Sequence, residues 1–112
     1  MHVSKKFLED KARCRDLVLL QLVAAPLPQV ARGKVERVYS ARHGIDQTLQ
    51  RKELNFVCAP DHWGQTKLQP GERALVFLST ISGKLYEDPW RGHIVIEVID
   101  GVQFGMYKHK EL

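Results

Sequence analysis

Asp16-Leu17-Val18-Leu19-Leu20-Gln21-Leu22-Val23, and beyond Ala24-Ala25-Pro26-Leu27-Pro28 the stretch Val30-Ala31-Arg32-Gly33-Lys34-Val35-Glu36-Arg37-Val38-Tyr39-Ser40-Ala41-Arg42, decide between a helical and a β-rich chain. The first run is apolar almost throughout, which fits a buried strand or a buried helix. One helix from Ser4 to Ala25 is the competing reading. A strand puts Val18, Leu20 and Leu22 on one face and Leu17, Leu19 and Val23 on the other, and this is the reading adopted. The second run mixes β-branched and polar residues as a half-solvated strand does. Gly33 inside it predicts a bulge or a sharp coil.

Outward from this pair, turn signals recur every few residues. Lys52 to Cys58 alternates polar and apolar side chains. Gln69-Pro70-Gly71-Glu72 has proline and glycine in the central positions of a type II turn. Arg73-Ala74-Leu75-Val76-Phe77-Leu78-Ser79 follows as the clearest strand. Ser82-Gly83 turns the chain into Lys84-Leu85-Tyr86-Glu87. After Asp88-Pro89-Trp90-Arg91-Gly92 comes His93-Ile94-Val95-Ile96-Glu97-Val98-Ile99. Asp100-Gly101 is a strong hairpin signal toward Val102–Tyr107. Leu75, Phe77, Val95 and Val98 are expected to share one core. Upstream, residues 4–15 read as a short helix, with Ser4 as N-cap and Phe7 and Leu8 available to dock it. The expectation is a single mainly β domain over residues 1–112. Its form is a five- to seven-stranded OB-like barrel or sandwich with a short N-terminal helix.

Composition agrees with a folded domain. Hydrophobic residues make up 44 % and charged residues 27 % of 112 residues, near globular averages, which argues against disorder. No apolar run reaches the roughly 20 residues needed to span a bilayer, so no membrane association is expected. The N-terminal segment is charged where a signal peptide would be apolar. A cytoplasmic location is therefore expected; the alternative is an exported protein whose leader has been removed. Formal net charge is +4 and uneven. Residues 1–56 carry 11 Lys and Arg against 6 Asp and Glu, whereas residues 57–112 carry 6 against 7. A basic half draws anionic partners, nucleic acid among them.

Ala31-Arg32-Gly33-Lys34-Val35-Glu36-Arg37-Val38 resembles the first barrel strand of netrin-like domains, which include tissue metalloprotease inhibitors. Cys58, followed by Leu68-Gln69-Pro70-Gly71-Glu72-Arg73-Ala74-Leu75-Val76-Phe77-Leu78, resembles their later cysteine-to-strand stretch. The similarity covers about residues 30–80. It implies an OB-type barrel. The inhibitors insert an N-terminal cysteine into a protease, whereas Cys14 here lies at the end of a predicted helix, so the resemblance does not extend to that activity.

Catalytic motifs are absent: there is no GxSxG, P-loop or GxGxxG. His93 and Glu97 are separated by about 13 Å on a strand at roughly 3.3 Å per residue, too far to share a metal. Asp61, His62 and Asp88 lie in loops that can converge on His93, which keeps a small metal-dependent enzyme as a third function class. Trp63 and Trp90 sit in polar loops, and with Tyr86 and Arg91 they have the composition of a protein-binding anchor. Either tryptophan can equally plug a barrel end. Arg32, Lys34, Arg37, Tyr39 and Arg42 form the alternative, a basic strand with one aromatic platform for single-stranded nucleic acid.

The first expectation is thus a non-enzymatic domain that recognises a protein partner, in an inhibitor or immunity-type role, with no cofactor. Single-strand nucleic-acid binding is the second. Cys14 and Cys58 lack the spacing of a disulfide framework or a zinc site. Thiol titration of denatured, unreduced protein should therefore find both thiols free; a count of zero would establish a bridge and an oxidising compartment.

Overall fold

A computed structural model describes residues 6, 10, 13, 15–27, 29–41, 51–58, 68–88, 92–99 and 101–106, except the side chains of 27, 98, 99 and 102–106. Seven strands follow in order: β1 (Asp16–Leu27), β2 (Val30–Ser40), β3 (Glu53–Val57), β4 (Arg73–Ile81), β5 (Lys84–Glu87), β6 (His93–Ile99) and β7 (Val102–Met106). The apolar run from Asp16 is a strand, as its two-face division predicted. Most of the helix expected over residues 4–15 lies outside the described residues. Among the described residues no helix is long and apolar enough to cross a membrane.

The strand order β1-β2-β3-β5-β4 closes through a β1–β4 pairing, and β6 and β7 extend the sheet beyond β4. β3 and β5 meet in parallel at Val57 and Tyr86, and the other pairs are antiparallel. A five-stranded ring with one parallel contact is the OB-like arrangement expected from the sequence. β1 closes it. From Asp16 to Gln21 it is hydrogen-bonded to β4 on one side and to β2 on the other. Beyond Leu22 it pairs with β2 alone, and Pro26 lies in that half, where a missing N–H breaks no ladder on the β4 side.

The interior follows the two-residue period. Val18, Leu20 and Leu22 of β1 pack with Ala31 and Val35 of β2, Leu54 and Phe56 of β3, Ala74, Val76 and Leu78 of β4, and Val95 of β6. Leu17, Phe77 and Ile94 form a second buried cluster on the opposite face, with Leu75 packed against it. The single core expected from Leu75, Phe77, Val95 and Val98 is therefore two for the first three, and the side chain of Val98 lies outside the described ones. Adjacent strand residues point to opposite faces, and both faces of β4 are covered.

Turn chemistry matches the sequence. Glu72 N–H donates to Gln69 C=O at 3.1 Å, and Gly71 has φ +92°, which completes a type II turn. Gly71 N–H also donates to Leu22 C=O at 2.7 Å, tying this turn to β1. Ser82 and Gly83 both have positive φ (51° and 78°), the requirement of a tight type I′ hairpin.

Gly33 works by absence of volume. A Cβ there would lie 2.7 Å from Leu20 Cδ1 and 2.9 Å from Cδ2. Leu20 is fully buried, so its end has nowhere to retreat. The β1–β2 register shifts on either side of this contact, and the strands coil around it. Gly33→Ala should cost about 1–3 kcal/mol by overpacking. In a Leu20→Ala background, which vacates the contact, the added cost should nearly vanish. Urea midpoints of the four proteins measure the coupling; equal costs in both backgrounds would place the role of Gly33 elsewhere.

Candidate functional site

Two arrangements of polar residues stand out. One is inside the barrel end and the other on its outer sheet face.

The inner group begins where β5 gives way to β6. Glu87 pairs with Leu78 and His93 with Val76, so both residues run along one edge of β4. Between them, Asp88 N–H donates to Phe77 C=O at 2.9 Å, and Phe77 N–H donates to Gly92 C=O at 2.8 Å. Asp88 and Gly92 thus both bond to the backbone of Phe77. Leu78 and Val76 face the interior, so Glu87 and His93 do as well, and both are buried. His93 Nδ1 contacts the Glu87 carboxylate directly. A carboxylate can only accept, so the imidazole donates from Nδ1. Asp16, opposite Leu78 on β1, is also fully buried at this end. Arg15 Nε lies 3.1 Å from Asp88 Oδ2, an ion-pair contact without the direction of a hydrogen bond.

Gly92 is needed at the neck because of contact, not φ. A Cβ there would sit 2.2 Å from the Asp88 carbonyl oxygen and 2.3 Å from Glu87 Cγ. His93 thus contacts Glu87, six residues upstream. Nothing in the spacing announced this pair, because it depends on β5 and β6 lying end to end along one edge of β4. Asp61 and His62 lie outside the described residues, as do Trp63, Trp90 and Arg91. Among the described residues, no three of His, Cys, Asp and Glu gather as a metal-binding group.

The outer arrangement is carried by β2. Ala31, Gly33 and Val35 are buried, which turns Arg32 and Lys34 to the other face. A register shift follows Val35; Val38 packs inward, and Arg37 and Tyr39 are exposed. Arg37 Cζ stands 5.8 Å from the centroid of the Tyr39 ring, which is 51 % exposed. Arg32 Nε donates to Asn55 Oδ1 of β3 at 3.1 Å. Arg51 and Lys52, both exposed, are brought beside the middle of β2 by backbone hydrogen bonds to Val35. Glu36, the acid within β2, is neutralised by Arg73, whose Nε and Nη2 donate to its carboxylate at 2.8–3.1 Å. Glu53 lies opposite Lys34.

Tyr86 joins this face rather than standing alone with the 88–92 loop. Leu85 packs on the interior cluster and Glu87 is buried, so Tyr86 between them turns outward, half-buried beside Val57. The parallel β3–β5 contact that places it there could not be read from the sequence. Arg42 lies outside the described residues. Comparison with known proteins finds no significant match to a family model, a curated sequence or a solved structure.

The Glu87–His93 contact joins the end of β5 to the start of β6. Glu87→Ala leaves the buried His93 donor without its acceptor and should cost about 1–3 kcal/mol. Glu87→Gln keeps an acceptor oxygen and should cost less. Equal urea midpoints for the two variants would show that the carboxylate–imidazole contact does not hold the neck.

Proposed function

We propose that this domain binds single-stranded nucleic acid on the outer face of β2, β3 and β5. The observation that carries the reading is the row itself. Arg32, Lys34 and Arg37 share one solvent face of β2, between Tyr39 at one end of the strand and Tyr86 two strands across at the other. Single strands are held by cations that track the backbone and aromatic rings that take the bases. Both are present, and the internal Glu36–Arg73 pair removes the acid that would weaken the field at the centre of β2. From Arg32 to Tyr39 the strand runs about 23 Å at roughly 3.3 Å per residue, room for several nucleotides. OB barrels place oligonucleotides on this strand 2–3 face; that is an analogy of fold, and it supports the reading without carrying it.

A protein-binding role, the first expectation from sequence, rests on Trp63, Trp90 and Arg91, which lie outside the described residues. The face of β2 is the better supported surface.

Fluorescence anisotropy with short single-stranded DNA and RNA oligonucleotides tests the proposal. Binding should weaken with salt by about 0.7 in log–log slope for each phosphate neutralised, so about 2 for three cations. Arg32→Glu, Lys34→Glu and Arg37→Glu together should abolish it. Tyr39→Ala should cost about 1–3 kcal/mol of binding while leaving the salt slope unchanged. No anisotropy change at low salt for the unsubstituted protein would refute the reading and return the weight to protein recognition.

A further inference from the structure

β7 ends the sheet. Among the described residues it pairs with β6 alone, in an unbroken register from Ile99–Val102 to Val95–Met106. The connection at 100–101 is two residues long, so Ile99 and Val102 form the hydrogen-bonded pair that closes the hairpin. Alternation makes Glu97–Phe104 and Val95–Met106 the next hydrogen-bonded pairs. The backbone N–H and C=O groups of Gln103 and Gly105 therefore point away from β6, along the open edge.

Natural edge strands are usually protected by lysine, proline or an inward charge. β7, Val-Gln-Phe-Gly-Met, has none of these. It alone among the seven strands carries no titratable residue: β1 has Asp16, β2 three cations and Glu36, β3 Glu53, β4 Arg73, β5 Lys84 and Glu87, and β6 His93 and Glu97.

We propose that β7 is a self-association edge, where two copies of this chain join their sheets by antiparallel β7–β7 pairing. The self-partner follows from symmetry and charge. A two-fold axis at Phe104 sets Gln103 of one copy opposite Gly105 of the other, twice. Those are the residues whose backbone groups face outward, so each pair exchanges two hydrogen bonds and the edge makes four. The same axis sets every residue of the strand against a residue of an identical strand. A charge at the central position would face its own copy, and one at the flanking positions would lie near it across the axis; β7 carries none. Two-fold pairing consumes both edges and closes the assembly at a dimer.

The test uses the whole 112-residue chain in sedimentation equilibrium over a micromolar-to-millimolar concentration range. The expected species at the upper end has twice the 12.8 kDa chain mass and dissociates on dilution. Gln103→Pro removes an outward N–H without touching the β6 ladder. It should weaken dimerisation about tenfold or more with an unchanged circular dichroism spectrum. If that variant fails to fold, Gln103→Lys supplies the comparison, since it places like charges near the two-fold. Amide exchange at Gln103 and Gly105 should slow as concentration rises. A monomer throughout the range overturns the proposal, as does a dimer indifferent to a folded Gln103 variant. Slow, concentration-independent exchange at these amides would show that the chain covers the edge itself and would overturn it equally.

Discussion

The barrel depends on β1 being hydrogen-bonded along both edges at once. Between Asp16 and Gln21 it supplies N–H and C=O groups to β4 and to β2, and this double ladder turns an open meander into a closed ring. Within this ring Gly33 of β2 leaves the space that the buried Leu20 side chain fills, between two register shifts of the β1–β2 ladder. The alternation of Val18, Leu20 and Leu22 then defines the interior, and the strands that follow pack on that row.

Closure also decides what the outside can do. Residues turned away from the core on β2 must be solvated, and on this strand they are cations and one exposed tyrosine. The register shift after Val35 keeps Arg37 and Tyr39 outward even though Val38 packs inward. The Glu36–Arg73 pair spans the outer side of β1, between strands that are not neighbours. Its two members are about one-third exposed, so its direct contribution to stability is small. Its larger effect is on the field of the β2 face, from which it removes a negative charge.

The buried polar group at the barrel end has the opposite character. Glu87, His93 and Asp16 occupy interior positions that apolar residues fill elsewhere in the ring. Buried charges are weak evidence of stabilisation, because desolvation opposes their attraction. What the Glu87–His93 contact does achieve is geometric. It joins the last residue of β5 to the first of β6, and the missing side chain of Gly92 lets its backbone lie against Glu87 and Asp88. Asp88 and Gly92 both bond to the backbone of Phe77 on β4.

Much of this was legible in the chain itself. Period-two alternation located the strands, because one face of a strand must be dry and the other wet or separately covered. Pro70-Gly71, Ser82-Gly83 and Asp100-Gly101 located turns, because positive φ is cheap only for particular residues, and glycine above all. Arg32, Lys34, Arg37 and Tyr39 could be placed on one strand by its mix of β-branched and polar residues, but alternation would divide them between two faces, and it is the register shift after Val35 that turns all four outward. The hairpin pairs β4–β5 and β6–β7 were legible from their turns; the non-local pairings were not, since they are set by long-range closure and local residues do not encode it. That is why Tyr86 could be seen in the sequence but not assigned to the β2–β3 face. It is also why the groups expected to converge on His93 were Asp61, His62 and Asp88, with Glu97 too distant along the strand, while the fold sets it against Glu87. The sequence by itself determined a β-rich chain, its turns and a basic strand; the tertiary structure decided their adjacency, because only the closed ring brings residues distant in sequence onto one face.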